Sequence, residues 1–146
     1  MRISEHFTLE ELIRSQTATR LGIDEQFAPA DTIRDNLRLL CENVLEKIRT
    51  AINQPLHISS GYRCERLNEK IGGSETSQHC KGQAADVECN LTAEQLYQVI
   101  KHSDIKFDQL IQEFGQWVHI SYSPFNNRQQ CLKAIKVDGK VKYIPD

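Results

Sequence analysis

An apolar stripe through residues 31–53 limits what this chain can become more than any other feature. Ile33, Leu37, Leu40, Cys41, Val44, Leu45, Ile48 and Ile52 keep a 3.6-residue period, while Arg34, Asp35, Arg38, Glu42, Glu46, Lys47 and Arg49 cover the remaining surface. A helix of that length must lay its stripe on a partner, and the rest of the chain supplies one. After Pro55 breaks the pattern, Leu56–Ser60 alternates as a short strand, and 84–89 reads as another. Residues 107–122 read as two strands around a tight turn at Phe114-Gly115. In the second of these, Trp117, His119 and Ser121 share one face and Val118 and Ile120 the other, which is the core face. Asp138-Gly139, the preferred two-residue hairpin turn, separates alternating segments at 131–137 and 140–144.

The remaining helices are short. Thr8-Leu9-Glu10-Glu11 and Thr92-Ala93-Glu94-Gln95 are capping boxes, opening helices that run to about Ser15 and His102. A helix from about Cys64 carries Leu67 and Ile71 on one face and ends at Gly72-Gly73, since glycine readily takes the left-handed conformation there. Residues 16–29 and 74–81 read as loop. The expectation is a single α+β domain, residues 1–146, with helices packed on a small, mostly antiparallel sheet.

Charge and cysteine usage narrow the function. Lys plus Arg is 18 against 20 for Asp plus Glu, a formal net charge of −2, so the basic excess of a nucleic-acid-binding module is missing. The longest unbroken apolar run is Leu39-Leu40-Cys41, far short of the roughly 20 residues a membrane span needs. The first residues, MRISEHFTLEELIRSQ, are polar and acidic where a signal peptide would be apolar, so synthesis in a cytoplasm is expected. Cys41, Cys64, Cys80, Cys89 and Cys131 are odd in number and form no CxxC pair, which predicts free thiols.

Three residues suggest a metal set: His79, Asp86 and His119. Imidazole plus carboxylate suits zinc, and three protein ligands leave a fourth position open for water. Spacing alone makes a weak case, because a lone histidine is more often a surface or hydrogen-bonding residue. The surrounding residues strengthen it. Ser60-Gly61-Tyr62-Arg63, Asn68, Gly72-Gly73, Ser77-Gln78-His79, Gly82, Ala84-Ala85-Asp86 and Trp117-Val118-His119-Ile120 form one ordered signature. It resembles that of the zinc D-alanyl-D-alanine peptidases of bacterial and phage origin, which cleave peptidoglycan stem peptides or the free dipeptide. The likeness is tight over about residues 56–122, and HFTLEELIRS near the N-terminus is similar to short phage-type members.

The resemblance implies roles. His79, Asp86 and His119 fall on the zinc ligands; Arg63 falls on a basic residue that holds a substrate carboxylate or carbonyl; Ser77 falls on a serine that also contacts substrate. Gly72-Gly73 would shape the turn into the ligand loop, and Gly82 with Ala84-Ala85 would let that loop pack closely. The chemistry agrees with these roles, since zinc acidifies water and a guanidinium matches a carboxylate with two parallel hydrogen bonds. On sequence alone, a surface salt bridge is the competing role for Arg63.

The chain departs from the family pattern in three places. Cys64 stands where serine is usual, and Cys80 directly follows the first ligand. Where many relatives carry Asp or Glu three residues before the last histidine, as general base, this chain has Gln116, which cannot take a proton. The nearest upstream carboxylate is Glu113, beside the Phe114-Gly115 turn, and phage-type members with an EFGxWVH-like stretch are similar here. Glu113 is therefore the expected base, with a solvated turn carboxylate as the alternative.

The leading expectation is a zinc peptidase acting on peptidoglycan stem peptides, of phage or prophage origin, which reaches the wall after release or as part of a phage particle. Gln116 favours a second one, a catalytically inactive metal-bearing module for wall binding or tail structure. The weakest is cleavage of free D-Ala-D-Ala as a resistance enzyme.

Overall fold

The capping boxes act where the sequence places them. A computed structural model describes residues 1–146. Thr8 caps α1 (Leu9–Ile13), with its hydroxyl accepting from the Glu11 N–H and the Glu11 carboxylate accepting from the Thr8 N–H. Thr92 and Gln95 do the same at α6 (Ala93–Lys101).

Residues 16–29, expected as loop, are partly helical. Ser15 accepts from the Ala18 N–H to open α2 (Gln16–Leu21), and Gly22 closes it in the left-handed conformation at φ 69°. A 3-10 turn, Asp24–Phe27, follows. The polar composition hid a short helix whose one buried residue is Ala18. Gln26 is fully buried: its amide nitrogen donates to the carbonyls of Ile13 and Tyr62, and its oxygen accepts from the Cys64 N–H, so this segment is stitched to the start of the signature region.

The long stripe forms α3 (Asp31–Leu40), a π turn (Cys41–Leu45) and α4 (Glu46–Ile52) in one run, closed by Asn53 in the left-handed conformation. The Asn43 side chain donates to the Leu39 carbonyl at 2.9 Å, a carbonyl that a regular α-helix reserves for the Asn43 backbone N–H. Burial pushes the Cys41 thiol on this stripe up to about 12. All five cysteines carry free thiols.

Six strands form one sheet in the order β1-β2-β4-β3-β5-β6: β1 (His57–Ser60), β2 (Ala84–Glu88), β3 (Gln109–Glu113), β4 (Trp117–Ser121), β5 (Gln130–Val137) and β6 (Lys140–Pro145). Every pairing is antiparallel except β3 with β5. Asp138 and Gly139 both take positive φ in the β5–β6 turn, as that hairpin type requires. Helix α5 (Glu65–Lys70) links β1 to the ligand loop.

Alternation assigns each face of the sheet. Ala85, Val87, Leu110, Val118 and Ile120 join the stripe of α3–α4 and Leu96, Tyr97 and Ile100 of α6 in one buried core. Asp86, Ile111, Glu113, Trp117 and His119 point the other way. No helix is long and apolar enough to cross a membrane.

Candidate metal centre

Sheet register builds the site. Asp86 pairs with His119 across β2 and β4, and His119 pairs with Ile111 across β4 and β3, so these side chains stand in one row on the outer face. Next to it runs a second row: Trp117 opposite Glu113, Glu113 opposite Ala134, and Ala134 opposite Tyr143. The Phe114-Gly115 turn, with φ of 57° and 69°, reverses the chain so that Glu113 returns beside the strand carrying His119.

His79 comes from outside the sheet. The segment 74–81, read as loop, ends in a 3-10 turn, Gln78–Lys81, whose N-terminus is capped by the Ser77 hydroxyl accepting from the His79 N–H at 3.2 Å. The turn closes at Gly82, φ 71°, where a Cβ would lie 2.8 Å from the Ile33 carbonyl oxygen. Only glycine lets this turn sit against α3. His79 is nearly fully buried, and its Nδ1 lies 2.7 Å from the Gly61 carbonyl oxygen. A carbonyl can only accept, so Nδ1 carries the proton and the lone pair on Nε2 is turned to the centre. Gly61 approaches α1 so closely that a Cβ would lie 2.3 Å from the Leu12 carbonyl oxygen.

The three donors converge. Asp86 Oδ1 lies 3.4 Å from His79 Nε2 and 3.1 Å from His119 Nδ1, and one ligand atom from each residue falls within 4.8 Å of the others. Tetrahedral bonds of about 2.0–2.1 Å place neighbouring donors about 3.3 Å apart, so the set fits zinc. Burial alone would raise the Asp86 carboxyl, but the imidazoles of His119 and His79 beside it outweigh burial and hold the group well below the usual carboxylate range. It is an anion ready to ligate.

A polar cleft of about 1140 Å³ opens over these donors, and Arg63, Ser77 and Glu113 line it with them. Arg63 donates from Nη2 to the Ser77 hydroxyl at 3.2 Å, while its Nε is buried without a partner. Ser77 thus orients Arg63 and caps the His79 turn. Glu113 is half-buried. Burial raises its carboxyl above the ordinary 4.5, an effect opposed by His119 and Arg63 and reinforced by Asp86. Gln116 is exposed on the far side of the turn and lines a different cavity with Pro55, Cys89 and Leu91. Gln116 is thus outside this cleft, and Glu113 is inside it.

A sequence-family model described as peptidase M15 matches residues 5–121. The chain belongs to the peptidase M15 family. No curated protein matches it. M15 peptidases are zinc-dependent, and the donor chemistry of His79, Asp86 and His119 suits that ion. The matched region of this M15 chain ends at Ser121, yet the cleft does not: Arg128, Tyr143 and Pro145 also line it, as does Asp108 from within that region. Sequence reasoning singled out none of these. The Asp-Gly turn gave notice of the hairpin that carries Tyr143 and Pro145, but not of which way its residues point.

Proposed function

We propose that this chain is a hydrolase of peptidoglycan stem peptides in which His79, Asp86 and His119 hold zinc, Glu113 is the general base, and Arg63 with Ser77 positions the substrate. The observation that carries the reading is the half-buried Glu113 carboxylate in the same cleft as three converging metal donors. A zinc ion there supplies Lewis acidity, acidifying water and polarising a carbonyl. Glu113 takes the proton that water loses and delivers it to the nitrogen of the leaving amine as the C–N bond breaks and a C–O bond forms. Its raised carboxyl suits both halves of that transfer. Arg63 is aimed by Ser77 into the cleft, where its remaining N–H groups hold a terminal carboxylate or the carbonyl oxygen of the scissile bond. The position of Glu113 inside the cleft, with Gln116 outside it, supports an active enzyme over an inert module.

The likeness of HFTLEELIRS and EFGQWVH to short phage-type members supports a lytic or tail-associated enzyme of phage or prophage origin that meets its substrate at the wall. Turnover of purified peptidoglycan, stem pentapeptide and D-Ala-D-Ala dipeptide, with and without chelator, tests the assignment and identifies the bond cleaved. Zinc-dependent release from the wall or the pentapeptide is expected, with one zinc per chain lost in His79→Ala. Stoichiometric zinc retained by His79→Ala would overturn the ligand set, and turnover unaffected by chelator would overturn the chemistry.

A further inference from the structure

Arg128 lies just before β5, beyond the part of the chain that matches the family, and lines the cleft over the metal donors. Its guanidinium is clamped. Nε donates to Asp108 Oδ1 at 2.8 Å, Nη2 donates to Oδ2 at 2.9 Å, and the Arg128 backbone N–H donates to Oδ1 at 3.0 Å. Asp108 is almost wholly buried, whereas the Arg128 side chain is half exposed. Here the carboxylate is hidden and the outer edge of the arginine faces the cleft.

The clamp leaves N–H groups free. A guanidinium has five, of which Asp108 engages two, so both on Nη1 and one on Nη2 remain. The side-chain entropy an arginine normally loses on gripping a ligand has already been lost to Asp108, which makes the free edge a preorganised anion receptor. Its position differs from that of Arg63. Arg63 follows β1 at one side of the sheet, and Arg128 precedes β5 at the other, with β2 and β4 and their donors Asp86 and His119 between them. The cleft's three cations, Arg63, Lys81 and Arg128, match its three carboxylates, Asp86, Asp108 and Glu113, so a divalent ion leaves it net positive.

We propose that Arg128, held by Asp108, is a second carboxylate-reading residue of this cleft and selects peptides that carry a free carboxylate close to the scissile bond. This rests on the peptidase reading above. The probes are two stem pentapeptides that differ only in a carboxylate or a carboxamide on the second residue. The zinc-loaded protein should cleave the carboxylate form with kcat/KM about ten- to a hundredfold higher, the scale of one hydrogen-bonded charge contact. Because Arg128→Gln alone would strand a buried Asp108, the decisive variant is Asp108→Asn/Arg128→Gln, which keeps a neutral pair. It should retain zinc and turnover of the carboxamide peptide but lose the preference, and Arg128→Lys should keep only part of it. Equal cleavage of the two peptides by the parent protein, or an undiminished preference in the double variant, would overturn the role of Arg128 and leave the peptidase reading intact. Calorimetry separates the two readings further. If neither peptide is cleaved, the peptidase reading fails, while tighter binding of the carboxylate form, lost in the double variant, still upholds Arg128; equal binding overturns that role as well.

Discussion

The two faces of the central sheet are made by the same strands and differ in almost everything else. On the inner face Ala85, Val87, Leu110, Val118 and Ile120 pack against apolar side chains of α1, α3, α4 and α6 in one buried core. On the outer face the alternating neighbours of these residues are Asp86, His119, Ile111 and Glu113, under an open polar cleft. One face supplies burial and the other the candidate site, and the pleat couples them: Asp86 lies between buried Ala85 and Val87, and His119 between buried Val118 and Ile120. The apolar face therefore holds the register that brings Asp86 and His119 side by side, because a slip of one residue would put both carboxylate and imidazole into the core.

The comparison breaks most completely at adjacent positions of β4. Ile120→Asp places an unpaired carboxylate in the core, at a cost comparable with the whole stability of a domain, about 5–15 kcal/mol. It should show no cooperative thermal transition. His119→Ala, one residue away, should melt cooperatively and lose its zinc by metal analysis. A folded Ile120→Asp protein would show that the inner face does not organise the site.

Within the outer face, Glu113→Gln should leave the melting curve and zinc content close to those of the parent while turnover drops about 10²–10⁴-fold, the usual contribution of a positioned carboxylate. Single-turnover assays on stem pentapeptide measure this. A rate within a few-fold of the parent would return Glu113 to the role of a turn residue.

The smallest effect is on stability at low pH. Hydrogen bonds from Arg128 hold the Asp108 carboxyl below the ordinary 3.8. A depressed folded value stabilises the protein above the unfolded value and loses that contribution as pH falls through the folded one. Urea denaturation should therefore show the parent weakening below about pH 4. The Asp108→Asn/Arg128→Gln protein should weaken less steeply over that range, because Asp86 then contributes without Asp108.

Much of this was legible in the chain. The period of 31–53, two capping boxes, the Asp-Gly hairpin and the alternation in 117–121 each depend on residues close together in sequence, and each stands in the structure as read. The ordered motif singled out His79, Asp86 and His119 because one loop and one strand present the first two. What the chain hid was mostly set by weak or competing local signals. Ser15 and Gly22 bound a helix too short to show a stripe. The π turn at Cys41–Leu45 sits inside an apolar period that runs through it without a break.

The sequence by itself determined the longer helices and the Asp-Gly turn, because propensity, capping and periodicity act within a few residues, while the ordered motif pointed to His79, Asp86 and His119 through its resemblance to a family. Only the tertiary structure decided whether the Glu113 carboxylate shares their cleft. The side-chain chemistry of Gln116 pointed to Glu113, but nothing local showed whether Glu113 enters the cleft or stays solvated on its turn. The pairing of β3 with β4 and β5 settles it, as it settles the arrival of Arg128 and Tyr143 from the end of the chain. Strand pairing joins residues distant in sequence through backbone groups that every residue has, so no single side chain announces it.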